Sequence, residues 1–170
     1  MSSFASPYIK TVTVAVARNA NLLTYTGADV ANIKTLAATF SRGVGISKTG
    51  VIAALSTGFE LNSELIRLSS ATTCTFDVVA SGVAQVARTA SNAYVAGTIS
   101  KVSMSLATNN VLMDKDGTAQ TVDTSASLPA VTKIEVGMVE NGQQLNGPVN
   151  HIYGWTRNLS QSELGAIDRA

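Results

Sequence analysis

Residues 149–164 read "VNHIYGWTRNLSQSEL" and join a predicted strand to the start of a helix. The first seven residues are typical of a short β-strand that ends in aromatic side chains. Ser160 then stands three residues before Glu163, the spacing of a capping box, in which each side chain bonds a backbone N–H of the other residue. We therefore expect a helix to begin at Gln161, directly after the last strand of the chain.

Upstream of this stretch, the sequence predicts one short strand after another. Period-two alternation places Val102, Met104 and Leu106 on one strand face, as expected of a half-buried strand. Residues 64–68 also fit a helix, but the flanking Gly, Asn and Ser favour a strand. The predicted strands cover residues 8–18, 33–40, 51–56, 64–69, 74–80, 83–88, 97–108, 132–138 and 149–155, with two further arms around residues 116–117. Such a series without intervening helices indicates an all-β, antiparallel two-sheet sandwich or jelly roll, formed by residues 1–170 as one domain.

The helix that follows the last strand must be docked, because a helix of about ten residues is marginal on its own. Leu159 and Leu164 have the spacing of a hydrophobic staple. We expect Leu164 and Ile167 to turn back onto the sandwich and to seal one end or edge of it. Tyr153 and Trp155 are then expected to pack beneath the helix, although two such aromatic rings could also stack on a sugar.

Composition excludes several classes of function. The chain has 170 residues, of which 45% are hydrophobic and 14% are charged, and its formal net charge is +1. Without a basic run, electrostatic binding of nucleic acid or of an anionic membrane is not expected. The single cysteine, Cys74, is expected to be a buried, unreactive thiol. Residues 1–7 lack the features of a signal peptide, so we expect a soluble protein that is made in a cytoplasm.

No set of residues forms a convincing catalytic or metal site. Glu60, Glu64 and Glu135 do not form the clustered carboxylates that a glycosidase needs. His151 is the only histidine and is expected on a sheet face, where a lone histidine rarely supports a triad or a zinc site.

The Asp116-Gly117 pair favours a type I′ hairpin turn over a calcium loop, because the EF-hand spacing of Gly and Glu is absent. Asp114, Asp116 and Asp123 could still meet across that hairpin. Overall, we predict no catalytic residue, no cofactor and no bound metal.

The C-terminal residues 146–167, "NGPVNHIYGWTRNLSQSELGAI", resemble the end of concanavalin A-like (laminin G-like) jelly-roll domains of bacteriophage virion proteins. The segments "KIEVGM" (133–138) and "SMSLATNNVLMDKDG" (103–117) also resemble strands of that family, and residues 6–26 resemble a recurrent phage segment. The resemblance implies two packed antiparallel sheets and a place in a virion. Here one domain fills the sequence, which favours a capsid decoration or head-fibre protein over a tail fibre with a shaft.

These observations lead to two functional hypotheses. The first is a non-enzymatic virion structural protein that assembles as a homo-oligomer with capsid or tail subunits, without nucleic acid or membrane as a partner. The alternative is a carbohydrate-binding receptor module of a tail fibre or spike, with a host surface glycan as its ligand. A glycan hydrolase is the third and least supported reading.

Overall fold

The computed structural model shows the chain as two antiparallel β-sheets and one C-terminal helix. It describes residues 23–41, 49–58, 61–137, 145 and 147–169. The strand predicted for residues 8–18 and most of the predicted turn region 140–147 lie outside these ranges.

The described residues form eleven strands, a 3-10 turn at Val30–Asn32 and one α-helix. The strands are β1 (Leu23–Thr26), β2 (Thr35–Ser41), β3 (Gly50–Gly58), β4 (Asn62–Leu68), β5 (Cys74–Ala80), β6 (Val83–Thr89), β7 (Ile99–Ala107), β8 (Asn110–Lys115), β9 (Thr118–Ala119), β10 (Lys133–Val136) and β11 (Val149–Trp155), and the helix is α1 (Gln161–Arg169). Residues 64–68, for which helix and strand both fitted the sequence, lie in strand β4. The described part of the chain therefore confirms the predicted all-β architecture with a short terminal helix.

Two sheets face each other across a single main core. The six-stranded sheet has the order β1-β10-β3-β4-β5-β6, and the five-stranded sheet has the order β11-β2-β7-β8-β9. Every pairing between neighbouring strands is antiparallel. Among the described strands, the last one, β11, thus lies at the edge of its sheet beside β2, more than 100 residues away in sequence. This pairing brings the C-terminal segment onto the five-stranded sheet.

Side-chain alternation builds the core as the sequence predicts. Val102, Met104 and Leu106 of β7 are buried in the main core, together with Phe40 of β2. Phe40 stacks on Tyr94 at 5.3 Å between ring centroids. Serines at alternate positions of β7 therefore lie on the outer face of the five-stranded sheet, because successive side chains of a strand point to opposite faces.

The turn between β8 and β9 is the predicted Asp-Gly hairpin. Asp116 has φ +53° and Gly117 has φ +75°, the left-handed conformation that a type I′ turn requires at both central residues. Ser81 and Gly82 repeat this geometry between β5 and β6, with φ values of +52° and +75°. Both turns join strands that pair as hairpins.

Helix α1 begins where the capping box predicts. The backbone N–H of Ser160 donates to Glu163 Oε2 at 2.8 Å, and the backbone N–H of Glu163 donates to Ser160 Oγ at 3.4 Å. Arg157 also donates to Glu163 Oε1 at 2.8 Å. Leu159 and Leu164 are buried in one small cluster, which confirms the staple.

The sequence predicted that the helix would seal one end or edge of the sandwich. It docks instead on a face. It contacts β7, β8 and β9 of the five-stranded sheet. The reason is that small side chains, such as Ala37 and Ser103, cover that outer face and let a helix approach closely. Leu164 and Ile167 face this sheet, as predicted.

Cys74 is fully buried in the main core, which confirms its expected structural role. Burial raises the pKa of its thiol to about 12, so the thiolate is not populated near neutrality. Among the residues that the structure describes, no helix is long and apolar enough to cross a membrane.

Candidate functional site

A pocket of about 540 Å³ opens on the outer face of the five-stranded sheet. Helix α1 forms one wall through Ala166, Ile167 and Asp168. Edge strand β11 forms the opposite wall, and residues 37–39 of β2 form the floor. Of the described elements, α1 covers β7 to β9 but not the β11 side of the sheet, and the pocket lies beside the helix there.

Three aromatic rings line the β11 wall in a row. Alternation along the strand places His151, Tyr153 and Trp155 on the outer face, whereas Ile152 points into the core. The rings of His151 and Tyr153 stack at 5.9 Å with an interplanar angle of 17°. Tyr153 and Trp155 follow at 5.9 Å and 32°. We call these three side chains the aromatic row.

Packing fixes the aromatic row from both ends. Trp155 is buried with Leu159 and Leu164 beneath the helix, and Tyr153 packs against the same cluster while remaining partly exposed. Trp155 thus packs beneath the terminal helix as predicted, whereas Tyr153 packs against the border of the same cluster. At the other end, His151 Nδ1 and Thr39 Oγ1 form a hydrogen bond of 3.1 Å. His151 thus lies on a sheet face, as predicted, and its orientation is fixed.

Strand β7 contributes a cation and an apolar side chain to the pocket. Lys101 and Ile99 both line it, and Ile99 is 65% exposed. The backbone N–H of Lys101 donates to Asp116 Oδ1 at 2.7 Å. Within the described ranges, however, the Lys101 ammonium group forms no ion pair, because Asp116 is paired with Lys115 at 2.5 Å. Among the described residues, the Lys101 ammonium group is therefore an unpaired positive charge in the wall of the pocket.

Two buried carboxyl groups meet under the last turn of the helix. Asp168 of α1 lies beside Asp114 of β8, because Ser103, which pairs with Asp114 in the strand register, also contacts Asp168. Both side chains are almost fully buried. Ser103 donates to Asp168 Oδ2 at 3.0 Å, and Gln161 donates to Asp114 Oδ2 at 3.2 Å. We call Asp114 and Asp168 the carboxyl pair.

Burial controls the ionisation of the carboxyl pair. It raises the pKa of Asp168 to about 8, and although the Ser103 hydrogen bond opposes this shift, the negative charge of Asp114 adds to it. Burial also raises the pKa of Asp114, while the hydrogen bond from Gln161 and the charge of Arg169 act in the other direction. The raised pKa of Asp168 therefore favours its protonated form at neutral pH.

The aspartates near the β8–β9 hairpin do not converge on a metal position. Asp114 faces the helix, Asp116 pairs with Lys115, and Asp123 accepts a hydrogen bond from Arg88 at 3.0 Å. In the part of the chain that the structure describes, no group of three or more His, Cys, Asp or Glu side chains is placed to hold a metal ion.

The glutamates considered for glycoside hydrolysis are also separated. Glu64 pairs with Leu55 in register, and Leu55 pairs with Ile134, so Glu64 shares the inward face of the six-stranded sheet. Glu135 lies on the opposite face of that sheet and accepts a hydrogen bond from Ser56 at 2.5 Å. Glu60 lies outside the described residues. Glu64 and Glu135 therefore cannot flank one glycosidic bond.

Sequence reasoning did not identify Lys101 or Asp168 as site residues. Two signals were present: Lys101 lies at an outward position of β7, and Asp168 follows Leu164 by four residues, which places an acid on the buried helix face. Neither signal predicts a pocket by itself, because the pocket also depends on the pairing of β11 with β2, two strands that are distant in sequence.

Comparisons with known proteins identify the fold. No protein-family model matches the sequence, and no curated protein matches it. Among solved structures, the CBM40 module of the Ruminococcus gnavus IT-sialidase, bound to α2,3-sialyllactose, aligns with a TM-score of 0.66 and 11% identity. The alignment covers 94% of this chain and 97% of that one.

Two further structures support the same conclusion. A heptameric pentraxin from Limulus polyphemus aligns with a TM-score of 0.63 and 10% identity, over 80% of this chain and 70% of that one. A Trypanosoma rangeli sialidase mutant aligns with a TM-score of 0.61 and 14% identity, over 91% of this chain but only 28% of that one. This chain has the jelly-roll sandwich fold of these lectin domains, which is related to the concanavalin A-like fold.

Proposed function

We propose that this chain is a non-catalytic carbohydrate-binding module that holds a glycan in the pocket beside helix α1. The observation that carries the proposal is the aromatic row, whose Tyr153 ring is partly exposed in a pocket of about 540 Å³. Aromatic faces pack well against the apolar C–H face of a sugar ring, and they lose little entropy because their packing is already fixed.

The rest of the pocket has the composition of a small-molecule site. Such sites measure about 300–1,000 Å³ and are mostly apolar, with a few polar groups that orient the ligand. Here Ile167 and Ile99 supply apolar surface, and Asn150, His151 and Lys101 supply groups that can hydrogen-bond to sugar hydroxyls.

Charge favours a glycan that carries an acidic sugar. Lys101 is unpaired among the described residues, and burial favours the protonated form of Asp168, so this wall of the pocket repels a carboxylate less than an ionised Asp168 would. The Ruminococcus gnavus module that shares the fold is bound to α2,3-sialyllactose. Sialylated and other acidic glycans are therefore the first ligands to test.

The carboxyl groups of the pocket argue for binding without hydrolysis. A glycosidase needs two carboxyl groups about 5 Å or more apart on either side of the scissile bond. Asp114 and Asp168 instead lie side by side, buried beneath the helix. This leaves no gap between them for a glycosidic bond.

The test is a glycan array, followed by calorimetry with the best ligand for wild type and two variants. Tyr153→Ala removes the exposed ring, and we expect it to weaken binding at least tenfold, or about 1.4 kcal/mol. Tyr25→Ala is the matched control, because Tyr25 is 50% exposed on strand β1 of the other sheet. It should bind as wild type does.

Thermal melts of both variants show whether each remains folded. Absence of binding across a broad array would overturn the proposal, and so would equal losses in the two variants. A reducing-sugar assay on bound glycans should stay negative. Release of sugar would instead identify a hydrolase.

We further propose that the module works in a bacteriophage virion, where it assembles as a homo-oligomer with capsid or tail subunits. The support is the resemblance of residues 146–167 to phage jelly-roll domains and the gain in avidity that several copies give to a weak glycan site. Mass spectrometry of purified particles and light scattering of the protein test these points. A protein absent from particles, or monomeric at high concentration, would contradict them.

A further inference from the structure

The C-terminal turn of α1 is held to the sheet by an unusual contact between two acids. Asp168 comes from the helix and Asp114 from β8, and each side chain is 5% exposed or less. The Oδ2 atoms accept hydrogen bonds from Ser103 and Gln161. The Oδ1 atom of each carboxyl group is buried and has no donor among the protein groups.

One proton can link these two carboxyl groups. A carboxylic acid donates to a neighbouring carboxylate in a short, charge-assisted hydrogen bond, whereas two carboxylates in contact repel each other. Ser103 donates to Asp168 Oδ2 and pairs with Asp114 in the strand register, so the two carboxyl groups lie side by side, where one such proton can link them. Burial of both groups strengthens the binding of this proton, because protonation removes a negative charge whose desolvation would be costly.

The surrounding charges do not replace the proton. Arg169 lies beside Asp114 but is exposed and donates to the Gly117 carbonyl at 3.2 Å. Asp116 adds a further negative charge nearby, and Lys115 is paired with it. The other charged or titratable groups on the elements packed here are Lys101 on β7, His151 on β11 and Glu163 on α1, which is paired with Arg157.

We propose that one shared proton between Asp114 and Asp168 holds the last turn of α1 on the sheet, so that alkaline solution releases this turn and opens the pocket wall. The proton favours the docked helix, because docking brings the carboxyl groups together. Loss of the proton leaves two buried charges in contact, which the helix relieves by moving away. The wall formed by Ala166, Ile167 and Asp168 moves with it. The effect on glycan binding rests on the proposed function, but the release of the helix does not.

The chain contains a natural reporter for this movement. Trp155 is its only tryptophan, and it lies buried against Leu159 and Leu164 beneath the helix. We expect Trp155 emission to shift reversibly to the red as pH rises through about 8, where the carboxyl pair loses its proton. The titration should run from about pH 6 to about pH 9.5, below the usual range of tyrosine ionisation.

Asp168→Asn is the first test variant. Its amide group donates a hydrogen bond to Asp114 at every pH, so the red shift should be lost while the emission at pH 7 stays that of wild type. Asp114→Asn should also remove the shift and provides the same test if the first variant folds poorly by circular dichroism. Glu64→Gln is the control, because the pKa of Glu64 is also raised to about 8 and this residue lies in the other sheet. This control should keep the shift.

The outcomes separate the two proposals. An unchanged wild-type emission would overturn the shared-proton proposal, as would a shift that persists in both Asn variants or disappears in Glu64→Gln. Glycan affinity, if present, should fall above pH 8 in wild type but not in Asp168→Asn. A red shift without any glycan binding would leave the shared proton intact and overturn only the carbohydrate-binding function.

Discussion

Single residues at the start of α1 explain why the helix begins where it does. Ser160 and Glu163 satisfy backbone N–H groups that would otherwise lack partners, and Arg157 holds the Glu163 carboxylate in place. The hydrogen bond from Arg157 lowers the pKa of Glu163 to about 2, so this arrangement persists in moderately acidic solution. All of these groups lie within seven residues, which is why the sequence alone predicts them.

Removing the cap should destabilise the protein without changing its ligand. We expect Ser160→Ala to lower the free energy of unfolding by about 0.5–2 kcal/mol, the usual cost of losing an N-cap. Urea denaturation measures this change. Ser127→Ala, at an exposed loop serine, is the control and should unfold at the wild-type urea concentration. A Ser160→Ala protein as stable as wild type would show that the cap adds nothing to folding.

Individual strands and the helix show which elements can be predicted from sequence. The Asp116-Gly117 hairpin and the helix start depend on neighbouring residues, and both are confirmed. The pocket depends on β11 pairing with β2, since this contact joins residues more than 100 positions apart. Hydrophobic alternation does not specify such a partner, so the docking face of α1 and the roles of Lys101 and Asp168 were missed.

At the scale of the helix, Leu164 should matter more than the cap. Its side chain is fully buried against Trp155, and Leu164→Ala removes both this contact and the staple. We expect a loss of about 2–5 kcal/mol in the free energy of unfolding. Ile167→Ala, at a half-buried position of the same helix, should cost less.

Thermal and urea denaturation of both helix variants provide the comparison. A Leu164→Ala protein that melts like wild type but loses binding would show that the helix is an interface element and not a part of the folding core.

For the molecule as a whole, buried acids should set the pH at which it is most stable. Burial raises the pKa of Glu64, between the sheets, to about 8, and that of Asp168, under the helix, also to about 8. Both groups keep protons in the folded state at pH values where the unfolded chain has lost them. Stability therefore falls as pH rises from about 4.5 towards 8. Glu163 and Asp123 have lowered pKa values, so their contributions are lost only in more acidic solution.

These opposing effects predict that the melting temperature is highest on the acidic side of neutrality and declines towards pH 8. Melts across this range test the prediction in wild type and in Glu64→Gln, which removes one of the two titrating groups. The decline of the melting temperature should be shallower in Glu64→Gln, because the glutamine amide does not titrate in this pH range. Glu163→Gln is the control and should leave the alkaline decline unchanged. A melting temperature that is constant or rises between pH 5 and pH 8 would show that these carboxyl groups are ionised in the folded protein, contrary to their burial.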